Sequence, residues 1–160
     1  VGTAINCQSQ RYVDMDENFS IYVPRKVMGD YVLRAYYENY ERTCKEHYQM
    51  IRTEMDKRHI KGEKANDLMR TMLPIGVACN LTMGFTVEAL IHFMHKRLCV
   101  RADEPIRKVA QLMRKAVIEV EPRYADLLIP QCVDKMYCPE KHSCGAYPSK
   151  EEVHKKIFGK

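Results

Sequence analysis

Glycine and proline are scarce in this chain, seven of each in 160 residues, and neither gathers into a low-complexity stretch. That excludes collagen-like and linker-like organisation, and the lack of internal repeats excludes solenoids and arrays. No apolar run approaches the roughly 20 residues a helix needs to cross a bilayer. The opening Val1-Gly2-Thr3-Ala4 has neither the basic region nor the apolar stretch of a secretory leader. Val1 is not an initiator residue, so we expect a preceding part of the protein to be missing from this sequence. Basic residues are spread out. The net charge of +5 therefore gives no support for a nucleic-acid partner and is compatible with an anionic ligand.

What is present has the composition of a globular domain: 46% hydrophobic and 29% charged residues. Seven cysteines are an odd number. Cys7, Cys44, Cys79 and Cys99 are scattered, and Cys132, Cys138 and Cys144 crowd the tail. This pattern argues against a disulfide framework and for a reducing, cytoplasmic setting.

Periodicity predicts a helix-rich α+β fold. Residues 1–18 read as a loop or irregular strand, and Phe19 to Val23 as a short strand stopped by Pro24. A long helix is expected from Arg25 to Lys57, then a shorter one from Glu63 to Met72, ended by Leu73-Pro74. Ile75 to Thr86 is apolar and β-branched, and periodicity leaves strand and helix both open there. Val87 to Leu98 is helical. Asp103 to Val120 is the clearest amphipathic helix, with Asp103 as N-cap and Pro105 in its first turn. Ser149 and Glu152 have capping-box spacing ahead of a terminal helix reaching Lys160.

The segment Asn6-Cys7-Gln8-Ser9-Gln10-Arg11-Tyr12 carries chemistry. A serine hydroxyl, adjacent backbone N–H groups and a guanidinium two residues on can converge on a phosphate. The bland alternative is a polar loop with an incidental arginine. Further on stand Arg70-Thr71-Met72-Leu73-Pro74 and Phe93-Met94-His95-Lys96-Arg97. An arginine ending a short helix is commonly a dipole partner or surface ion pair. His92 reads equally as a core histidine.

Taken in order, these blocks resemble the flavin-dependent thymidylate synthases, the ThyX family. Its signature loop runs N-E-x-S-x-R-Y, followed by F-Y-x-P (here Ile21-Tyr22-Val23-Pro24), A-R-x-x-L-P and a helix closing with h-F-x-x-x-R. The resemblance covers about residues 1–130, a catalytic domain, with 131–160 as a cysteine-bearing tail. It implies long helices packed on a small antiparallel sheet, and a homotetramer with sites shared between subunits. It also implies methylation of dUMP at C5 to dTMP, with FAD as cofactor and NADPH and 5,10-methylenetetrahydrofolate as co-substrates. By resemblance, Gln8, Ser9, Gln10 and Arg11 hold the nucleotide phosphate and Arg70 reaches a neighbouring subunit's nucleotide. Arg97 contacts the pyrimidine and serves catalysis by stabilising negative charge on the ring. Arg11, Arg70 and Arg97 are thus expected to gather around one nucleotide where protomers meet. Cys7, Thr86, Glu88 and His92 fall where the family meets its flavin.

The chain departs from the pattern there. The family's R-H-R triplet is not in the sequence, Cys7 replaces the signature glutamate, and Thr86-Val87-Glu88 replaces N-x-R, reversing a charge. Cys7 has no local base to activate it. Ala102 to Ile106 retains only the outer residues of A-Q-x-E-I. Alternatives are a relative that methylates or hydroxymethylates another pyrimidine nucleotide such as UMP, or a non-catalytic module binding zinc and nucleotide. Cys132, Cys138 and Cys144, with His142 or a residue from elsewhere as fourth ligand, would suit a structural zinc ion. A loop of free cysteines is the plain alternative.

Overall fold

The structure is a computed structural model that describes residues 2–15 and 19–159. The first and last parts of the 1–18 segment and the Lys160 end of the expected terminal helix lie outside the described residues. The fold is α+β: two strands, β1 (Thr3–Cys7) and β2 (Leu81–Phe85), form one small antiparallel ribbon, and the rest is mainly helical. Gln8 N–H donates to Asn80 C=O at 2.8 Å beyond one end of the ribbon, and Thr86 N–H donates to Gly2 C=O at 2.7 Å beyond the other. The chain divides into two compact units, Ile5–Thr82 and the remainder, Val1–Ala4 with Met83–Lys160.

The first unit contains α1 (Arg25–Met28), α2 (Tyr31–Lys57) and α3 (Gly62–Met69), the last tightening into a 3-10 turn at Arg70–Met72. The single long helix expected from Arg25 is broken at Gly29-Asp30. Asp30 takes an extended conformation, and its Oδ1 accepts from Val32 N–H at 2.9 Å and Leu33 N–H at 3.0 Å. That satisfies two of the amides a helix start leaves unpaired. The expected strand at Phe19 to Val23 is reduced to one bridge, Ile21 against Val77. The physical reason is that Phe19 is used as a core plug. It is 4% exposed and meets Tyr48 edge to face at 5.6 Å, with Met69 completing the buried cluster. Gly76 lies so close to this segment that a Cβ would meet Ile21 Cγ2 at 3.2 Å. Beside the core, Arg52 donates to buried Asn66 Oδ1 at 2.9 Å and pairs with Asp14.

The second unit contains α4 (Val87–Arg97), α5 (Glu104–Val120), a 3-10 turn at Pro122–Tyr124, α6 (Gln131–Lys135) and α7 (Lys150–Phe158). Met94, Ala110 and Leu128 are fully buried, one each from α4, α5 and the following loop. Arg114 ties that loop to α5 by donating to Leu128 C=O at 2.6 Å and Ala125 C=O at 3.0 Å. Asp103 stands at the N-cap of α5 as expected, but its carboxylate makes no capping bond. Within α5, Ala110 is buried while Val109 and Val120 are exposed. The Ser149/Glu152 capping box forms in both directions, and Gly159 closes α7 in the left-handed region at φ 66°. Among the described residues no helix is long and apolar enough to cross a membrane.

The two aspartates give a paired prediction. Asp30→Ala should cost about 0.5–2 kcal/mol in a urea titration, as loss of a capping side chain does. Asp103→Ala should cost clearly less, because no capping bond is lost. Glu54 gives a second prediction. Hydrogen bonds from Lys57 (2.7 Å) and Arg58 lower its pKa from 4.5 to about 2. Because the folded value lies below the unfolded one, the contribution is complete above the ordinary carboxylate range and fades as pH falls toward 2. The stability difference between wild type and Glu54→Gln should therefore be flat near neutrality and vanish in strong acid.

Candidate functional site

The loop after β1 is pinned before it turns. Besides its backbone bond to Asn80, Gln8 offers Oε1 to Asn80 N–H at 3.2 Å. Ser9 Oγ then accepts from Arg11 N–H at 3.3 Å, and Ser9 C=O accepts from Val13 N–H at 3.0 Å. This is a local side-chain turn of the kind serine favours. It leaves Gln10 half-buried and aims Arg11 outward from the turn, with its guanidinium 5.6 Å from the Tyr12 ring.

Arg11 meets α3. Its Nη2 lies 2.7 Å from Glu63 Oε1 and its Nε 3.8 Å from Asp67 Oδ1. Arg70, opening the 3-10 turn, places Nε 3.0 Å from the same Asp67 oxygen. The structure therefore brings Arg11 and Arg70 together across a shared carboxylate. All four side chains are about half exposed, so the ion pairs are weak and open to exchange. A phosphate, offering more acceptor oxygens, can take the place of the carboxylates. Sequence reasoning missed Glu63 and Asp67. Their signal was available: with Arg70 they fall at i, i+4 and i+7, one stripe of a helix.

Cys7 is exposed, with Sγ 3.5 Å from Cys79 Sγ. The hydrogen bond to Cys79 pushes the Cys7 thiol above the ordinary cysteine range. That keeps it protonated near neutrality, opposite to what a nucleophile needs.

The other predicted residues belong to the second unit. Thr86, Glu88 and His92 line one open cleft of about 430 Å³ at the start of α4, together with Gly2 and His95. Thr86 Oγ1 caps the helix by accepting from Ala89 N–H at 3.3 Å. Gly2 is required here: a Cβ would lie 2.3 Å from Thr86 Oγ1. His92 is exposed, which removes its reading as a core histidine. Arg97 closes α4 and lines a second cleft of about 310 Å³ with Lys96, Arg101, Lys141 and His142. The one acid there, Glu140, lies 3.3 Å from Lys96 Nζ. Among the described residues Arg97 has no ion-pair partner, so its charge is available to a ligand.

The tail differs from its expected arrangement. Cys132, Cys138 and Cys144 line one small cavity, but His142 lines the neighbouring Arg97 cleft. His95 of α4 and Cys99, in the turn after it, complete the cysteine cavity instead. Burial pushes the Cys132 thiol up, and the nearby Cys99 and Cys138 thiols add to that. Among the described residues no three His, Cys, Asp or Glu side chains stand as a preformed metal-holding group.

The α+β chain thus presents a paired-arginine loop and a cationic helix end. The family model described as thymidylate synthase complementing protein matches residues 2–123, and the chain belongs to that family. It is 30% identical over 148 residues to the flavin-dependent thymidylate synthase of Nitratidesulfovibrio vulgaris, covering 91% of this chain and 60% of that protein. It is 31% identical to that of Pyrococcus abyssi (84% and 54% covered) and 28% identical to that of Clostridium tetani (92% and 62% covered). The chain thus spans between 54% and 62% of the length of these relatives.

Asp67 competes with any anion for two guanidinium groups. Asp67→Asn should tighten binding of inorganic phosphate by about 1.5- to 5-fold, the worth of an exposed ion pair. Isothermal titration of both proteins with phosphate reads this directly, and weaker binding in the variant would refute the competition.

Proposed function

We propose that this chain forms the nucleotide-binding and catalytic part of a flavin-dependent thymidylate synthase, methylating dUMP at C5 to give dTMP. Family membership supports the reaction class. The observation that carries the substrate is the convergence of Arg11 and Arg70 on Asp67, a pair of guanidiniums ready to exchange a carboxylate for a phosphate. In this reading Gln8 and its bonds to Asn80 hold the loop in place. Ser9, Gln10 and Arg11 bind the phosphate, and Arg70 binds a nucleotide from its own or a neighbouring protomer. Arg97, unpartnered at a helix end, stabilises negative charge developing on the pyrimidine.

The start of α4 suits a flavin dinucleotide. A helix start favours negative charge, and His92 and His95 add ring N–H donors beside it. Glu88 opposes an anion there, and His92 lies one turn on along the same face. Thr86, Glu88, His92 and Cys7 are the residues proposed to face FAD. Bound FAD supplies electrons drawn from NADPH, and 5,10-methylenetetrahydrofolate supplies the carbon. The protein's share is to bind, orient and carry charge.

A homotetramer with shared sites is supported by the first half of α2. Tyr31, Val32, Tyr36 and Tyr40 are all more than half exposed. Tyr36, Tyr37 and Tyr40 also line an open cleft of about 490 Å³ with Tyr22 and Ile75. A patch of this kind marks an interaction surface. Residues 131–160 serve as a tail to this catalytic part, and a cytoplasmic setting fits the unpaired cysteines.

Arg11→Ala and Arg70→Ala should each weaken dUMP binding by about 1.5–3 kcal/mol, the worth of a hydrogen bond to a charged group, while leaving thermal stability nearly unchanged. An unaltered dissociation constant in both variants removes the proposed roles. The full-length protein should also show flavin absorption and release tritium from dUMP labelled at C5. Nucleotide binding without flavin would point to the non-flavin alternative, and turnover of UMP in place of dUMP to a change of substrate.

A further inference from the structure

We propose that Cys7 and Cys79 form a reversible dithiol–disulfide pair, a modification site for low-molecular-weight disulfides at the foot of the Arg11 loop. Cys7 ends β1, and Cys79 stands just ahead of β2. Their Sγ atoms lie 3.5 Å apart, and both side chains are exposed. The two belong to one compact unit, Ile5–Thr82. Of the other cysteines, Cys44, Cys99, Cys132 and Cys138 are partly or fully buried, and only Cys144 is exposed. Attack on a disulfide needs an accessible sulfur, and closing the new bond needs a second sulfur beside it. Cys7 and Cys79 meet both needs.

The backbone holds the pair in place. The residues that follow the two cysteines are bonded to each other: Gln8 N–H donates to Asn80 C=O at 2.8 Å, and Gln8 Oε1 accepts from Asn80 N–H at 3.2 Å. Closure from 3.5 Å to the roughly 2 Å of a covalent bond lies within the sweep of a sulfur about its χ1 bond. A cytoplasmic protein keeps such a bond as a transient, redox-sensing one rather than as part of a permanent framework.

The exchange takes two displacements. Cys7 keeps its proton, because its hydrogen bond to Cys79 pushes the thiol up, so Cys79 attacks first. Its S–H proton passes to solvent, its sulfur bonds one sulfur of the small disulfide, and the other sulfur leaves as a thiolate that takes up a proton. Cys7 then gives its proton to solvent and attacks the Cys79 sulfur, expelling the second small thiol. Two cysteine S–H bonds and one small S–S bond break, while one Cys7–Cys79 bond and two small S–H bonds form. The chain loses two electrons and the small disulfide gains them. Excess reduced thiol reverses both steps. In the oxidised chain the point where the Arg11 loop leaves the ribbon is held covalently, and the Ser9 turn begins directly beyond it. Any effect on the nucleotide rests on the proposed function, but the disulfide itself does not.

The test uses the reduced full-length protein, equilibrated with excess glutathione disulfide and mapped by mass spectrometry of its non-reduced peptides. The Cys7 and Cys79 peptides should appear joined, lacking two hydrogens, and should separate again in excess reduced glutathione. Cys79→Ser should lose the cross-link. Cys7→Ser should also lose it and hold an unresolved glutathione adduct on Cys79, while Cys144→Ser should keep it. Amides of residues 8–13 should exchange with deuterium more slowly in the oxidised wild type than in the reduced, a difference absent from Cys7→Ser. Free thiols at both positions after oxidation, stable glutathione adducts in place of the cross-link, a cross-link that reduced glutathione does not open, or equal exchange in the two states would overturn the proposal. None of these readouts involves dUMP or turnover, so this site and the proposed reaction stand or fall separately.

Discussion

A polar loop with no core of its own can be ordered only if its backbone groups find partners, and at the end of β1 that task falls to Gln8. Its main chain and its side chain both bond Asn80, so the loop leaves the ribbon from a fixed point. Ser9 then turns the chain through its own hydroxyl. Without the first pair of bonds the serine turn has no anchor, Arg11 has no defined reach, and its meeting with α3 is lost. The position of the guanidinium thus rests on two amide hydrogen bonds several residues away, and hydrophobic burial contributes little to it.

The longer helices were legible in the sequence because amphipathic periodicity marked them. α4, α5 and the capping box of α7 all follow from residue types at helical spacing. The break at Gly29-Asp30 was obscured because apolar residues continue on both sides, and only the aspartate's bonds to the next amides reveal it. β1 was hard to see because all five of its residues are exposed, leaving no alternation of apolar and polar positions to read. Phe19 to Val23 carried the composition of a strand, yet its first residue is consumed as core. At the site, arginines could be picked by type and spacing. Their carboxylate partners could not, because Glu63 and Asp67 acquire meaning only once α3 lies beside the loop. Cys99 was hidden for a similar reason: in sequence it stands far from the tail cysteines whose cavity it completes.

Both units have small cores. Three fully or nearly fully buried side chains form the centre of each, and the surrounding residues are only partly covered. Small cores leave peripheral segments dependent on specific polar ties: Arg52 with Asn66 in one unit, Arg114 with two carbonyls in the other. The loop after α6 likewise relies on polar ties, Lys96 to Glu140 and Cys138 N–H to Pro148 C=O. The first half of α2 has the opposite excess, with much apolar surface and little of it buried.

The carboxylate between Arg11 and Arg70 has one more effect. Two bare guanidiniums side by side would attract any polyanion in the cell, nucleic acid included. With Asp67 and Glu63 as counterions built into the chain, the pair presents almost no net charge at a distance. Only an anion small enough to enter, and carrying enough charge to displace both acids at close range, gains by binding. On the proposed reading, the loop would favour compact dianions over diffuse negative surfaces.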